Sequence, residues 1–140
     1  MAEIKGAGYS GTLLVKKLGI KAGMALAVRN PPDHYWELLG ELPPGLVIGG
    51  DAPHDFIHIF TTARAELENE LPGLRSQIAQ NGMVWVSWPK KAAKVPTDVT
   101  EDVVRKIALA HGLVDIKVAA VDAVWSGLKL VIRVKDRAKG

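Results

Sequence analysis

Asn30 and Pro31, Gly50 and Asp51, Thr61, Thr62 and Arg64, and Ser87, Trp88, Pro89, Lys90 and Lys91 each follow a short apolar run in the chain. If those runs are parallel strands, the four groups converge on one rim, because open α/β sheets bind ligands beyond the carboxyl ends of their strands, where strand order reverses. A carboxylate, hydroxyls, a tryptophan face and lysines could there receive a phosphate or carboxylate carried on a planar ligand. The candidate ligand-binding residues are accordingly Asn30, Asp51, Thr61, Arg64, Ser87, Trp88, Lys90 and Lys91. No catalytic set can be assigned, and no metal set is expected.

The elements that must position them can be read along the chain. Ser10 can cap a helix in "GTLLVKKLG", which Gly19 ends. "MALAVR" is an apolar run stopped by "NPPD", and Asp33 can cap a brief helix ending at Gly40. "LVIGGD" is a second run, and "DFIHIFTT" is strand-like, with β-branched and aromatic residues. Thr62 can cap the next helix, where Leu67, Leu71, Leu74 and Ile78 recur at helical spacing. Pro72 should bend or split that helix, and Asn81 and Gly82 should close it. "MVWVSW" is stopped by Pro89, with Trp85 and Trp88 on opposite faces of a strand. Asp98 and Glu101 are spaced as a capping box, with Thr100 a competing cap, before a helix that stops at Gly112. "VDIKVAAVDAVW" and "GLKLVIRVK" close the chain as antiparallel strands that should turn near Ser126 and Gly127.

Strands that alternate with helices and read as near-continuous apolar runs argue for a parallel sheet covered on both faces. The expectation is a single α/β domain over 1–140, with loose termini at 1–8 and 136–140. Its mostly parallel sheet ends in an antiparallel C-terminal strand, an order similar to that of reduced class I methyltransferase-like (Rossmann-like) domains.

That resemblance implies S-adenosylmethionine, which needs a glycine-rich turn after the first strand so that the backbone can adopt positive φ and approach the ligand. Here the turn is "VRNPPD", and proline offers neither an amide donor nor positive φ. Asp51 lies about 20 residues on, where a ribose-binding carboxylate belongs. No cofactor is therefore expected, with S-adenosylmethionine kept as the alternative.

Other chemistries are weaker. Asn-Pro-Pro followed by an aromatic resembles the target-nitrogen clamp of amino-group methyltransferases. In those enzymes it follows the fourth strand, and here Asp33 and His34 intervene before Tyr35, so a turn and helix cap is the simpler reading. His54 and His58 are four apart, which suits a metal on a helix, but four strand residues span about 13 Å. His58 reads instead as a packed core histidine. Ser87 lacks a G-x-S-x-G elbow. His111, near a helix C-terminus, reads as solvated or dipole-stabilised.

Composition narrows the classes further. The 140 residues are 48% hydrophobic and 24% charged, ordinary for a globular domain. The absence of cysteine removes disulfides and thiolate chemistry. "MAEIKGAGYSG" has neither the basic stretch nor the apolar run of a signal peptide, so a cytoplasmic protein without a membrane span is expected. Eighteen Lys and Arg against fifteen Asp and Glu is a small, interleaved excess. Nucleic acid bound through Lys90, Lys91, Lys94 and the basic tail is thus a third reading only.

Four segments, "GYSGTLLVKKLGIKAG", "DFIHIFTT", "GMVWVSWPKKAAKVPTDVTEDVVR" and "GLVDIKVAAVDAVWSGLKLV", together resemble a small bacterial domain family of unknown function. The resemblance spans most of the chain, although the family often has proline where Leu13 stands. It implies a bacterial source and a shared fold, and it brings no reaction. The leading expectation is a non-catalytic domain binding a small anionic ligand or a protein partner. The alternative is a small transferase using the strand-end crevice near Asp51, Ser87 and Lys90. Apolar strands leave room for an edge-to-edge homodimer.

Overall fold

The computed structural model describes residues 13–137. The expected Ser10 cap and the ends at 1–8 and 138–140 lie outside them. Six strands form one sheet: β1 (Ala25–Arg29), β2 (Val47–Ile48), β3 (His54–Phe60), β4 (Ile78–Pro89), β5 (Leu113–Ala120) and β6 (Trp125–Ile132), in the order β2-β1-β3-β4-β6-β5. All neighbours are parallel up to β4, and β6 alone is reversed, pairing antiparallel with β4 on one side and β5 on the other. The expected mostly parallel α/β sheet is the one found.

Helices α1 (Leu14–Leu18) and α2 (Tyr35–Leu39) supply one face, and α3 (Arg64–Gln77) and α4 (Glu101–Ala110) the other. Alternation along the central strands builds two cores at once. Phe56, Phe60, Met83 and Trp85 pack with Val15, Leu18, Tyr35 and Leu39. Ile57, Ile59, Val84, Val86 and Trp88 pack with Leu67, Leu71, Leu74, Val104 and Ile107. Trp85 and Trp88 do fill opposite faces, and the indole Nε1 of Trp85 donates to Leu18 O at 2.8 Å, so its buried polar atom is served.

Several local expectations are corrected. α3 runs unbroken through Pro72; Pro72 and Glu68 are both exposed, so water can serve the carbonyl that loses its partner. The helix ends at Gln77, and Asn81 and Gly82 belong to β4. Asp33 does not cap α2, whose N-cap is His34 without a side-chain bond. Thr62 does not cap α3 either: the amide of Arg64 donates to Asp98 Oδ1 at 2.7 Å. With Asp98 so used, Thr100 caps α4, its Oγ1 accepting from Val103 N at 3.2 Å.

The last turn lies at 121–124, and Ser126 and Gly127 are inside β6. Asp122 explains the shift: its Oδ1 accepts from the amides of Val124 and Trp125, at 2.8 and 2.7 Å, closing the chain before Ser126 is reached. Gly127 is in the strand because β4 needs the room; a Cβ there would lie 3.1 Å from both Ser87 Oγ and Trp85 Cε3.

The sheet edges are β2, with Val47 and Ile48 exposed, and β5, with Ile116 and Val118 exposed. Among the described residues no helix is long and apolar enough to cross a membrane.

Candidate active site

Strand order reverses between β1, which continues to β2, and β3, which continues to β4. The crevice is therefore bounded by the segments after β1 and β3. Gly50 and Asp51, expected on this rim, lie short of it: β2 ends at Ile48, opposite Leu26 near the start of β1, and the turn that follows bonds back through Gly49 O to His54 at the start of β3. Asn30 ends β1 with φ 56°, a left-handed conformation that asparagine tolerates better than most side chains. The positive φ that the prolines cannot adopt is thus supplied one residue earlier. This corrects the ground for expecting no nucleoside cofactor, though Pro31 and Pro32 still withhold two amide donors. The Asn30 side-chain amide donates to Phe60 O at 3.4 Å, tying the ends of β1 and β3 together.

Asp51 is exposed, and Gly49 and Gly50 before it both have positive φ, at 84° and 72°. Across the switch point, Thr61 N donates to Ser87 O at 3.0 Å and continues the β3–β4 ladder onto the rim. Thr61 itself is buried, its Oγ1 accepting from Ala63 N and donating to Glu66. Arg64 is exposed at the start of α3, with Nε 3.4 Å from Glu68 Oε2. Lys90 is half-buried, its amide donating to Val124 O at 2.7 Å, and Lys91 begins an exposed 3-10 turn that ends at Lys94.

Two further candidates lie inside the protein with Thr61. Trp88 packs in the core under α3 and α4. Ser87 is fully buried on the other face, its Oγ 2.8 Å from His58 Nε2. Asn30, Thr61 and Arg64 cluster at the β1 and β3 ends, with Lys90 and Lys91 on the β6 side, while Asp51 stands apart on the turn between β2 and the start of β3.

His58 is the hinge of a buried relay, with Nδ1 2.9 Å from Tyr35 Oη and Phe60 stacked on its ring at 4.3 Å between centroids. Burial pushes the His58 pKa down to about 3 and raises that of Tyr35. The ring is therefore neutral, one nitrogen donating and the other accepting, which satisfies the relay without charge. Tyr35, the aromatic after Asn-Pro-Pro, points inward to this histidine rather than outward to a ligand. His54, four residues earlier, bonds Gly49 O instead, at 3.1 Å.

Sequence reasoning missed a second histidine. His34, exposed between Asp33 and α2, has Nε2 2.8 Å from Asp122 Oδ2. Burial alone would raise the Asp122 pKa; hydrogen bonds from the amide of Trp125, from His34 and from the amide of Val124 outweigh it and hold the carboxyl below its ordinary value. The pair joins the segment after β1 to the β5–β6 turn, both at the carboxyl end of the sheet. Asp122 beside "AVW" was the available signal, a turn-forming carboxylate ahead of a strand.

The strand order, the single reversed strand and the crevice at the β1–β3 switch point define a methyltransferase-like α/β domain. Solved structures with this fold include an S-adenosylmethionine-dependent methyltransferase from Aquifex aeolicus, 14% identical with a TM-score of 0.57 over 85% of this chain and 88% of that one. A TehB-like S-adenosylmethionine-dependent methyltransferase from Corynebacterium glutamicum is 10% identical, with a TM-score of 0.55 over 86% and 85%. Magnesium protoporphyrin IX methyltransferase from Synechocystis PCC 6803 with bound SAH is 11% identical, at 0.52 over 85% and 78%. At such identities the likeness is one of fold. No family model and no curated relative matches the chain.

Proposed function

We propose that the chain is a small transferase that takes S-adenosylmethionine in the crevice above the ends of β1 and β3. The observation that carries this reading is the left-handed turn at Asn30, which ends β1 at the β1–β3 switch point of the sheet. Asn30 lets the backbone come close to the ligand at the switch point. Bound there, the ligand would supply an activated methyl group. His34 would serve the acceptor substrate. Asp122 engages its Nε2 and orients the ring, so Nδ1 is the nitrogen left to take a proton from an incoming nucleophile. Neighbours of the same fold whose structures contain SAH or SAM support the reading.

Calorimetric titration with S-adenosylmethionine tests it, with Asn30→Val, whose branched side chain resists the left-handed turn, as control. Saturable heat that disappears in the variant is expected. No heat at near-millimolar ligand would overturn it. That outcome would favour a domain that binds a small anion or a protein without catalysis, the reading to which Pro31 and Pro32, lacking amide donors, lend weight.

A further inference from the structure

On the face that carries α1, away from the crevice, four lysines from three elements meet. Lys117 of β5 and Lys129 of β6 are direct cross-strand partners, just past a register shift between Asp115 and Lys117. Like charges placed opposite each other on an antiparallel pair repel and destabilise it. Lys117 Nζ donates to Lys17 O at 3.1 Å, and Lys17 Nζ donates to Ala120 O at 3.4 Å, which accounts for two of the four. Among the described residues Lys129 and Lys21 have no such acceptor. Lys129 Nζ comes within 3.9 Å of where a Cβ on Gly19 would stand, so it lies against the end of α1. Its pKa is held below the ordinary lysine value, first by burial and then by the charges of Lys117 and Lys21.

Among the described residues no carboxylate forms an ion pair with any of the four. Asp115, two residues from Lys117, is turned to the opposite face, where it pairs with Arg105 at 3.1 Å. Glu41 lines the same open groove as Lys21 without pairing to it. The fold thus brings three ammonium groups together, one of them partly buried, with no carboxylate among the described residues to neutralise them.

We propose that Lys21, Lys117 and Lys129, backed by Lys17, form a binding site for a compact anion carrying phosphoryl oxygens. Lysine suits this as a mobile point charge, with three donors on each ammonium. The site is distinct from the crevice and does not depend on the reaction proposed there.

The test uses inorganic pyrophosphate as probe, by calorimetry at low salt, with the wild-type chain and the variants Lys129→Gln, Lys117→Gln and Lys106→Gln. Lys106 stands on α4, on the other face of the sheet. Saturable one-to-one binding is expected, weakened about tenfold or more by either of the first two substitutions and unchanged by the third. No heat, or equal weakening by all three, would overturn the site. Thermal unfolding without anion gives a second readout. Removing an uncompensated charge should raise the Tm of Lys129→Gln by about 2–4 °C, whereas a fall would make Lys129 a structural residue and sink the proposal. Sedimentation with phosphatidic acid vesicles separates the sources. Pelleting lost in Lys129→Gln bears the site out with a lipid phosphate as its ligand, and pyrophosphate binding without pelleting bears it out with a soluble one.

Discussion

His34 and Asp122 meet at 2.8 Å across 88 residues of chain, and each reaches the other from a turn at the carboxyl end of the sheet. The two partners are unequal. His34 is half-exposed, while Asp122 also holds the amides of Val124 and Trp125. Replacing His34 by alanine should cost no more than about 1 kcal/mol, as for surface ion pairs generally. Asp122→Ala strands two amides and should cost about 1–3 kcal/mol. Urea unfolding of both variants would show the difference; equal losses would mean that the turn does not depend on Asp122.

His58 makes stability depend on pH. The folded ring holds its proton only near pH 3, whereas an unfolded histidine does so below its ordinary value of 6.5. Between these values the unfolded chain binds more protons, so stability is complete above about pH 6.5 and falls as pH drops toward 3, by at most about 1.4 kcal/mol per unit. Asp122, with its depressed carboxyl, loses stability in the same direction at the acid end. In His58→Asn the slope of unfolding free energy between pH 4 and 6 should flatten relative to wild type. An unchanged slope would mean that His58 is protonated in the folded state.

Gly127 is fixed by its neighbours rather than by its backbone. Gly127→Ala should destabilise by about 1–3 kcal/mol, because a methyl group there meets Ser87 Oγ and the Trp85 ring, and both are wedged in the core. Tryptophan fluorescence should shift along with the loss of stability. A neutral variant would show that the sheet gives way more readily than its packing implies.

Thr100 and Asp98 divide the capping between two helices. Thr100→Ala should cost about 1 kcal/mol through α4, and Asp98→Ala a similar amount through the first amide of α3. Amide exchange should quicken at Val103 in the first variant and at Arg64 in the second. Quickening at Glu101 rather than Arg64 in the second variant would restore the capping box that the spacing of Asp98 and Glu101 suggested.

The large features were legible because they depend on period and punctuation. Ile57 and Ile59 against Phe56 and Phe60, or Trp85 against Trp88, announce strands buried on both faces, and the missing helix before "GLKLVIRVK" announces a reversed strand. What escaped reading depends on partners distant in the chain. Asp98 looked like a local cap because its acceptor role toward Arg64, 34 residues back, leaves no trace in spacing. Ser87 looked like a rim hydroxyl because alternation places it on a face without naming His58 as the occupant. Asn30 was legible as a rim residue but not as the source of the positive φ, because the prolines after it mask that asparagine is among the few side chains that take the left-handed turn themselves. The lysine pair on β5 and β6 was hidden by the register shift after Asp115.

β6 occupies an interior place in the sheet although it is the last of the described strands. Until residues 125–132 arrive, the edge of β4 away from β3 has no hydrogen-bonding partner, and both cores stand open. Order of synthesis and order in space therefore conflict, and the closing event joins segments far apart in the chain, which slows folding. A nascent chain halted before Trp125 would present an unpaired apolar strand to every other copy nearby, so arrested or trimmed products should aggregate where the finished domain does not.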